Sequence, residues 1–332
     1  MTDSQNHRSG EDSLIARYFR PIATDPGAFN LDDDAAILQA LGGDLVVTTD
    51  AVVEGVHFLP DDPPDTIARK ALRVNLSDLA AKGASPAGFV LTLALRAVED
   101  AWLQPFARGL GEDAALFGCP LLGGDTVSTP GPRMISITAF GRVAAGRMVH
   151  RSGAKPGDRV VVTGTIGDAG LGLAVLTRRA SATALADVAG NALLVERYRV
   201  PQPRTALANA VRDHASAAMD VSDGLAGDLA KLCAASGVSA VIDAKSVPLS
   251  RAAASLLARG RADIAAIVSG GDDYEILCAI PEIRLEAFEH AAARAGVAVT
   301  SIGTVLAGNA APRFLDPQGS ELVLPLLSYS HF

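Results

Sequence analysis

Strand-like and helical segments follow one another along this chain without strict alternation. Of all the features of the sequence, this order restricts the possible folds most strongly. Runs rich in β-branched residues predict strands at 45–49 (LVVTT) and 89–95 (FVLTLAL), and a leucine stripe predicts a helix over about 66–82. We expect Asp50 to close the first of these strands. Regular alternation would indicate a parallel sheet between helices, so the mixture predicts the α+β class.

A Gly/Pro-rich turn at 153–158 (GAKPGD) divides the chain near its middle. The 332 residues exceed one average domain, so we expect an N-terminal domain over 1–150 and a C-terminal domain over 151–332. Further strands are predicted at 134–141, 159–163, 238–243, 274–280 and 297–305, and further helices near 101–117, 205–217, 224–236 and 282–295.

Charge and cysteine content exclude several classes of protein. The net charge of −8 argues against a general nucleic-acid surface. The polar start of the chain and the interrupted apolar stretches predict neither a signal peptide nor a membrane span, and hence a cytoplasmic protein. The three scattered cysteines predict buried free thiols rather than a zinc site or disulfides.

Aspartates recur beside glycine, serine or threonine, at predicted strand ends and helix starts. A single one is usually a turn former or helix cap. Several carboxylates close together repel one another unless cations neutralise their charge. Carboxylate oxygens are hard ligands, which select Mg²⁺, Ca²⁺ or Mn²⁺. The set therefore indicates metal-dependent phosphoryl transfer. Its members are Asp32, Asp33, Asp34, Asp50, Asp78, Asp125 in GGDT, Asp220 and Asp223 in DVSDG, and Asp272 and Asp273 in SGGDDYE.

The familiar phosphate-binding signatures are absent from the sequence. No GK dipeptide occurs, which excludes a P-loop, and neither the HRD nor the DFG element of protein kinases is present. The stretch 164–172 (GTIGDAGLG) either covers phosphate or simply makes a turn. We expect a nucleotide to be held through metals and glycine-rich backbone at 123–125, with Arg151 as a donor.

Several long motifs, in order, resemble the thiamine-monophosphate kinase family of the aminoimidazole ribonucleotide synthetase-like ATP-binding superfamily. They are SLIARYF at 13–19, DDAA at 33–36, TTD at 48–50, GVHF at 55–58, KALRVNLSDLAAKGASP at 70–86, GGDT at 123–126, RSGAKPGD at 151–158, DVSDGL at 220–225 and SGGDDYEIL at 269–277. The resemblance implies ATP-dependent phosphorylation of thiamine monophosphate to thiamine diphosphate with several Mg²⁺ ions. It also implies a homodimer paired through the N-terminal domain, and a C-terminal domain that completes the cleft.

The resemblance assigns roles residue by residue. Asp78, Asp125 and Asp220 would be catalytic; Gly124, Asp125, Arg151 and Ser222 would contact the nucleotide; His57, Asp272 and Tyr329 would contact the substrate; and Asp34, Thr48, Thr49, Asp50, Asp78, Asp125, Asp220 and Asp223 would bind magnesium. Because the acceptor oxygen is already ionised, direct transfer needs no general base. His57, a lone histidine beside Phe58, is therefore expected to bind or pack rather than to react.

Two positions depart from the family pattern. The family usually reads GIGDDAA where residues 30–36 read NLDDDAA, so Asp32 replaces a glycine that can supply a positive φ. The family usually has Glu at Asp272, whose carboxylate reaches one methylene less far. We expect the substrate contact of Asp272 to be lost or to pass through water.

Three alternatives remain. Aminoimidazole ribonucleotide synthetase is disfavoured by SLIARYF and NLSDLAAKGA, and selenophosphate synthetase by the lack of a cysteine before Cys119. From a different class, the chain would be a metal- or nucleotide-binding module without catalysis. Such a module would bind ATP with magnesium yet release no ADP with any acceptor.

Overall fold

The chain forms two units, each with its own β-sheet. A computed structural model describes residues 13–31, 35–39, 42–177 and 188–324. The first unit comprises residues up to Asn75 together with Pro86–Arg142, and the second comprises Leu76–Ser85 together with the chain from Val143 onward. Both units combine a sheet with helices, so the predicted α+β class is confirmed. The domain boundary at residue 150 stays a prediction.

The first unit is built on a four-stranded sheet in the order β1-β4-β2-β3. Strand β2 pairs with β3 in parallel. Its elements are β1 (Asp44–Val53), α1 (Pro64–Ala81), β2 (Ser85–Leu95), α2 (Asp100–Leu116), β3 (Leu121–Ser128) and β4 (Met134–Val143), with a π-helical turn at Ile15–Phe19 before them.

Side-chain periodicity explains these elements. In β4 every second residue is buried, among them Ile135, Ile137 and Ala139, as expected when one face of a sheet covers a core. In α1 the predicted leucine stripe is fully buried. Gly83, two residues beyond the end of α1, adopts φ +70°, and a Cβ there would lie 2.7 Å from the Arg212 side chain.

The second unit is built on a six-stranded sheet in the order β10-β7-β9-β5-β8-β6. Only the pairing of β10 with β7 is parallel among the pairs described. Its elements are β5 (Arg159–Thr163), α3 (Asp168–Leu176), α4 (Val188–Arg199), α5 (Ala208–His214), β6 (Ala217–Val221), α6 (Leu225–Ser236), β7 (Ser239–Asp243), α7 (Arg251–Ala258), α8 (Ile264–Ser269), β8 (Glu275–Ile280), α9 (Leu285–Arg294), β9 (Val299–Leu306) and β10 (Arg313–Leu315).

This second sheet is covered on both faces. Alternate residues of β5 enter different clusters: Val160 and Val162 pack with Leu229 of α6, whereas Val161 packs with Phe288 of α9. The neighbouring strands β5 and β8 are therefore apolar almost throughout, and all six residues of β8 are buried. The end of α1 joins the second cluster through Ala80 and Ala81.

The structure corrects several predicted boundaries. Strand β1 continues to Val53, so Asp50 does not close it. The predicted helix at 205–217 is a short 3₁₀ turn followed by α5, and residue 217 already begins β6. Strand β3 was not predicted, because GGDT reads as a turn. Helices α3, α4, α7 and α8 and strand β10 were also not predicted.

The thiols agree with the prediction, since Cys119, Cys233 and Cys278 are free and buried. Burial raises the pKa of Cys119 and of Cys278 to about 12 and that of Cys233 to about 11. In the part of the chain that the structure describes, no helix combines the length and the apolar character that crossing a bilayer requires.

Removing the Asp113 carboxylate should unfold the first unit more easily. Asp113 is fully buried and accepts hydrogen bonds from Arg73 Nε at 2.5 Å and from Arg69 Nη1 at 2.5 Å. Asp113→Ala removes the buried carboxylate that neutralises the nearly buried Arg73, and we expect a loss of about 3–5 kcal/mol in the free energy of unfolding. Urea denaturation measures it. Glu112→Gln, which alters the exposed partner of Arg69, should cost less than about 1 kcal/mol.

Candidate active site

The predicted metal ligands of β1 lie at one edge of the first sheet. Thr49 and Asp50 are exposed, and Thr48 is half-buried. The Thr49 hydroxyl donates to Ile137 O at 3.2 Å and accepts from Thr138 Oγ1 at 3.0 Å. The Thr49 side chain therefore connects β1 to β4, and the Asp50 carboxylate is the charged oxygen group of these three residues.

Gly124 and Asp125 lie in β3, at the opposite edge of the same sheet. Gly124 pairs with Leu91 of β2, and a Cβ on it would lie 1.9 Å from Leu91 O. No residue with a side chain fits there. Asp125 is exposed beside it. Three strand spacings separate β1 from β3, so the strands that carry Asp50 and Asp125 are about 14 Å apart across the sheet.

His57 lies in the turn that follows β1. Its Nδ1 accepts a hydrogen bond from Val53 N at 3.1 Å, which leaves the proton of a neutral ring on Nε2. Its carbonyl accepts from the ammonium group of the buried Lys70 at 2.8 Å. One ring nitrogen thus holds the turn in place, consistent with a binding or packing role.

Three predicted site residues of the second unit surround Lys82, just beyond the end of α1. Lys82 Nζ donates to Ala218 O at 2.7 Å. Burial lowers the pKa of its ammonium group; Asp220 and Asp78 act in the opposite direction, and Arg151 adds to the lowering. Asp78, Asp220 and Arg151 therefore each lie close enough to Lys82 to influence its charge.

The DVSDG and SGGDDYE motifs form two adjacent loops. Asp272 N donates to Ser222 O at 2.8 Å, and Tyr274 N donates to Val221 O at 2.8 Å. Asp272 is half-buried and adopts φ +71°, a conformation that Asp tolerates better than most residues. The two loops therefore bring Asp220, Ser222 and Asp223 close to Asp272.

Asp273 is a buried acid that the sequence analysis counted in the aspartate set but gave no individual role. Its carboxylate accepts from Gly167 N at 2.6 Å and from Ala169 N at 3.3 Å, at the start of α3. Two amides of the GTIGDAGLG stretch therefore bind a carboxylate of this chain. This favours the interpretation of the stretch as a structural turn over its interpretation as a phosphate-binding loop. Burial raises the pKa of Asp273 to about 8.

Two of the predicted residues, Asp34 and Tyr329, lie outside the described residues, as does the departure at Asp32. Three residues just before it, Phe29, Asn30 and Leu31, have positive φ. Among the described residues, no three of His, Cys, Asp or Glu are grouped closely enough to hold a metal ion. The donor set consists of carboxylates of the kind that Mg²⁺ binds through one or two at a time, with water and phosphate completing the shell.

Two family models match the chain. The AIR synthase related protein N-terminal domain matches residues 32–143, and the C-terminal domain of the same family matches 155–313. The thiamine-monophosphate kinase of Caulobacter vibrioides is 45% identical over 96% of this chain and 89% of its own length. The chain belongs to the thiamine-monophosphate kinase family.

Solved structures of thiamine-monophosphate kinases have the same fold. The crystal structure of the Stenotrophomonas maltophilia kinase is 36% identical, with a TM-score of 0.81, over 94% of this chain and 96% of that one. The structure of AaThiL complexed with AMPPCP and TMP is 30% identical, with a TM-score of 0.77, over 90% of this chain and 91% of that one. The resemblance drawn from the motifs is thereby confirmed for fold and family.

One further residue of this thiamine-monophosphate kinase family member stands out beside the site motifs. Asn75, in the NLSD segment, is fully buried; its Nδ2 donates to Ala71 O at 3.0 Å, and its Oδ1 accepts no hydrogen bond. The sequence analysis assigned it no role. A buried amide oxygen without a donor is costly, so the position is constrained by more than helix packing.

The stability of the protein should fall between pH 6 and pH 8 because of Asp273. Since its pKa in the folded state lies near 8, above the ordinary value of 3.8, the folded protein retains a proton that the unfolded chain releases. The free energy of unfolding then decreases as pH rises, by about 2 kcal/mol over this interval for this group. Chemical denaturation at both pH values measures the decrease.

Asp273→Asn should abolish that decrease, because an amide does not titrate. The matched variant Asp213→Asn changes an acid that is half exposed and pairs with Arg147 and Arg212 at the surface, and it should retain the decrease. An Asp273→Asn protein that loses stability with pH as the unmodified protein does would contradict the assignment to Asp273.

Proposed function

We propose that the protein transfers the terminal phosphoryl group of ATP to the phosphate of thiamine monophosphate, giving ADP and thiamine diphosphate. The observation that carries this is 45% identity to a thiamine-monophosphate kinase over 96% of the chain. AaThiL, at 30% identity, binds AMPPCP and TMP together, which matches a kinase with ATP and a monophosphate as its two substrates.

The transfer is direct and in line. An oxygen of the acceptor phosphate forms a bond to the γ-phosphorus of ATP while the bond from that phosphorus to the β–γ bridging oxygen breaks, and ADP leaves with the electron pair. Because the attacking oxygen is already ionised near neutral pH, no side chain has to remove a proton. The chain's own task is to hold two anions in register and to offset their repulsion.

Magnesium supplies the positive charge that allows two phosphate groups to meet. Asp34, Thr48, Thr49, Asp50, Asp78, Asp125, Asp220 and Asp223 are the proposed ligands, among which Asp78, Asp125 and Asp220 act closest to the reaction. The chemistry of the set supports this, because all are hard oxygen donors. Thr49 is the weakest member, because its hydroxyl already makes two hydrogen bonds in the sheet.

Gly124, Asp125, Arg151 and Ser222 are the proposed nucleotide contacts. Gly124 fits because its position excludes a side chain, and Arg151 fits because its exposed guanidinium can present paired N–H groups to phosphate. His57, Asp272 and Tyr329 are the proposed contacts to thiamine monophosphate. We further propose the division into domains 1–150 and 151–332, and a cytoplasmic location, which the three buried free thiols support.

A homodimer paired through the first unit is also part of the proposal. Strand β1 is an edge strand and exposes Leu45 and Val47, 50% and 56% accessible. Exposed apolar side chains on a sheet edge favour association with another copy. A second copy would also supply a second set of Asp50 and Asp125, which one sheet holds on opposite edges.

The reaction should be seen as ADP release that requires thiamine monophosphate. With ATP and Mg²⁺, equal amounts of ADP and thiamine diphosphate should form, and neither free thiamine nor the substrate of aminoimidazole ribonucleotide synthetase should replace the monophosphate. ATP binding without ADP release under any of these conditions would favour the binding module and contradict the kinase.

Asp78→Asn and Asp125→Asn should each lower kcat by at least about a hundredfold, because each removes a charged metal ligand where charge accumulates. Asp213→Asn serves as the matched control for the same chemical change at a surface ion pair, and its kcat should stay within about twofold. Circular dichroism checks that all three variants fold. Full activity in both site variants would overturn the proposed metal roles.

Val47→Asp should convert the proposed dimer into a monomer, because it places a charge on the apolar edge of β1. Val98→Asp changes another exposed valine of the same unit, 59% accessible, and should leave the dimer intact. Size-exclusion chromatography with light scattering reads the mass directly. A monomeric unmodified protein, or a dimeric Val47→Asp variant, would contradict pairing through β1.

A further inference from the structure

Asp223, a proposed magnesium ligand, already has a cationic partner within the second unit. Lys231 Nζ lies 2.5 Å from Asp223 Oδ2 and 2.8 Å from Asp228 Oδ1. Asp228 and Lys231 are three residues apart on α6, so both project from the same side of the helix. The second carboxylate oxygen of Asp228 accepts from Asp223 N at 3.0 Å. Asp228 therefore positions both the backbone of Asp223 and the ammonium group that faces its side chain.

The two carboxylates that share this ammonium group differ sharply in exposure. The Asp228 side chain is 0% exposed, whereas those of Asp223 and Lys231 are 35% and 39% exposed. Breaking the contact with Asp228 would leave a fully buried carboxylate unpaired, which is expensive. Breaking the contact with Asp223 costs little, because water and ions can replace the ammonium group at a partly exposed carboxylate. The contact between Lys231 and Asp223 is therefore the weaker of the two.

We propose that Lys231 is a positioning residue that competes with the divalent cation for Asp223. Asp223 exchanges its partner between the Lys231 ammonium group and the metal ion, while the buried Asp228 keeps Lys231 close by. The inference rests on the proposed function, which makes Asp223 a magnesium ligand. As a consequence, Lys231 neutralises the Asp223 carboxylate of the DVSDG loop when no metal ion is bound. Lys231 also raises the concentration of divalent cation that is needed for Asp223 to bind it.

Binding of Mn²⁺ to the full-length protein tests the competition without reference to turnover. Mn²⁺ suits the same oxygen ligands, and the electron paramagnetic resonance signal of free hydrated Mn²⁺ reports how much is bound. Lys231→Met removes the competitor. Asp228→Asn/Lys231→Met removes the buried carboxylate together with its partner, so no buried charge is left unpaired. Lys245→Met is the matched control, since Lys245 is 66% exposed and 3.7 Å from Asp243 in the same unit.

We expect both Lys231 variants to reach half-saturation of their weakest Mn²⁺ site at about three- to tenfold lower concentration than the unmodified protein, because a positive charge next to the ligand is gone. Lys245→Met should bind like the unmodified protein, and Lys231→Arg, which keeps the charge, should stay close to it. The Mg²⁺ concentration for half-maximal thermal stabilisation should shift in the same direction.

An unchanged or higher half-saturation concentration in Asp228→Asn/Lys231→Met would overturn the inference, because Lys231 would then be either a bystander or a support for metal binding. An equal shift in Lys245→Met would also overturn it, since any lost positive charge would then suffice. If the unmodified protein binds no Mn²⁺, the magnesium ligands proposed above fail as well. Binding by the unmodified protein with no shift in the variants rejects the role of Lys231 alone.

Discussion

The pairing of buried carboxylates is the constraint on which both units depend. Asp113 is fully buried between Arg69 and Arg73 of α1, and Glu275 is fully buried between Arg197 and Arg204. A buried carboxylate without a partner costs several kcal/mol, so these pairs hold helices in place once their charges are inside. Most proposed metal ligands differ, because Asp50 and Asp125 are exposed and Asp78 and Asp223 are half-buried. Solvent therefore reaches these four carboxylates, whereas it does not reach those of Asp113 and Glu275.

The SGGDDYE motif shows how one short segment divides into structural and functional parts. Asp273 accepts the amides at the start of α3, and Glu275 binds two arginines and the hydroxyl of Thr163 at 2.6 Å. Both are buried, and a Cβ on Gly164 would lie 2.1 Å from Glu275 Oε1, so this region has no spare space. Asp272, which directly precedes Asp273 and adopts a positive φ, is the member of the three acids that is half-buried rather than buried.

The sequence predicted the parts of the fold whose periodicity is local. The leucine stripe of α1 and the apolar runs of β2 and β5 need no knowledge of distant residues, and these elements formed nearly as predicted. Strand β3 was missed because its glycines suit a turn, and only the close approach of Gly124 to Leu91 O explains why they lie in a strand.

For the candidate site, too, local sequence predicts some features, whereas others depend on residues far away in the chain. Residue types and motif order were enough to select the acids, because carboxylates in number require cations. Whether an acid serves the fold or a ligand depends on partners far away in the sequence, such as Gly167 for Asp273. The sheet order also matters, because nothing local indicates that Asp50 and Asp125 lie on opposite edges of one sheet.

The use of lysine in this chain follows the site chemistry. The sequence has five lysines against 24 arginines, so arginine is its ordinary surface cation. Three of the five lysines nevertheless contact or approach proposed site residues: Lys70 binds the carbonyl of His57, Lys82 lies near Asp78 and Asp220, and Lys231 binds Asp223. A guanidinium group is planar and needs room for several hydrogen bonds, whereas an ammonium group is a compact charge with three donors that can turn. The ammonium group resembles a metal ion in being a compact positive charge that oxygen atoms can approach from several directions, each accepting one of its N–H donors. Lysine is therefore the residue suited to balance carboxylates that are proposed to bind a cation.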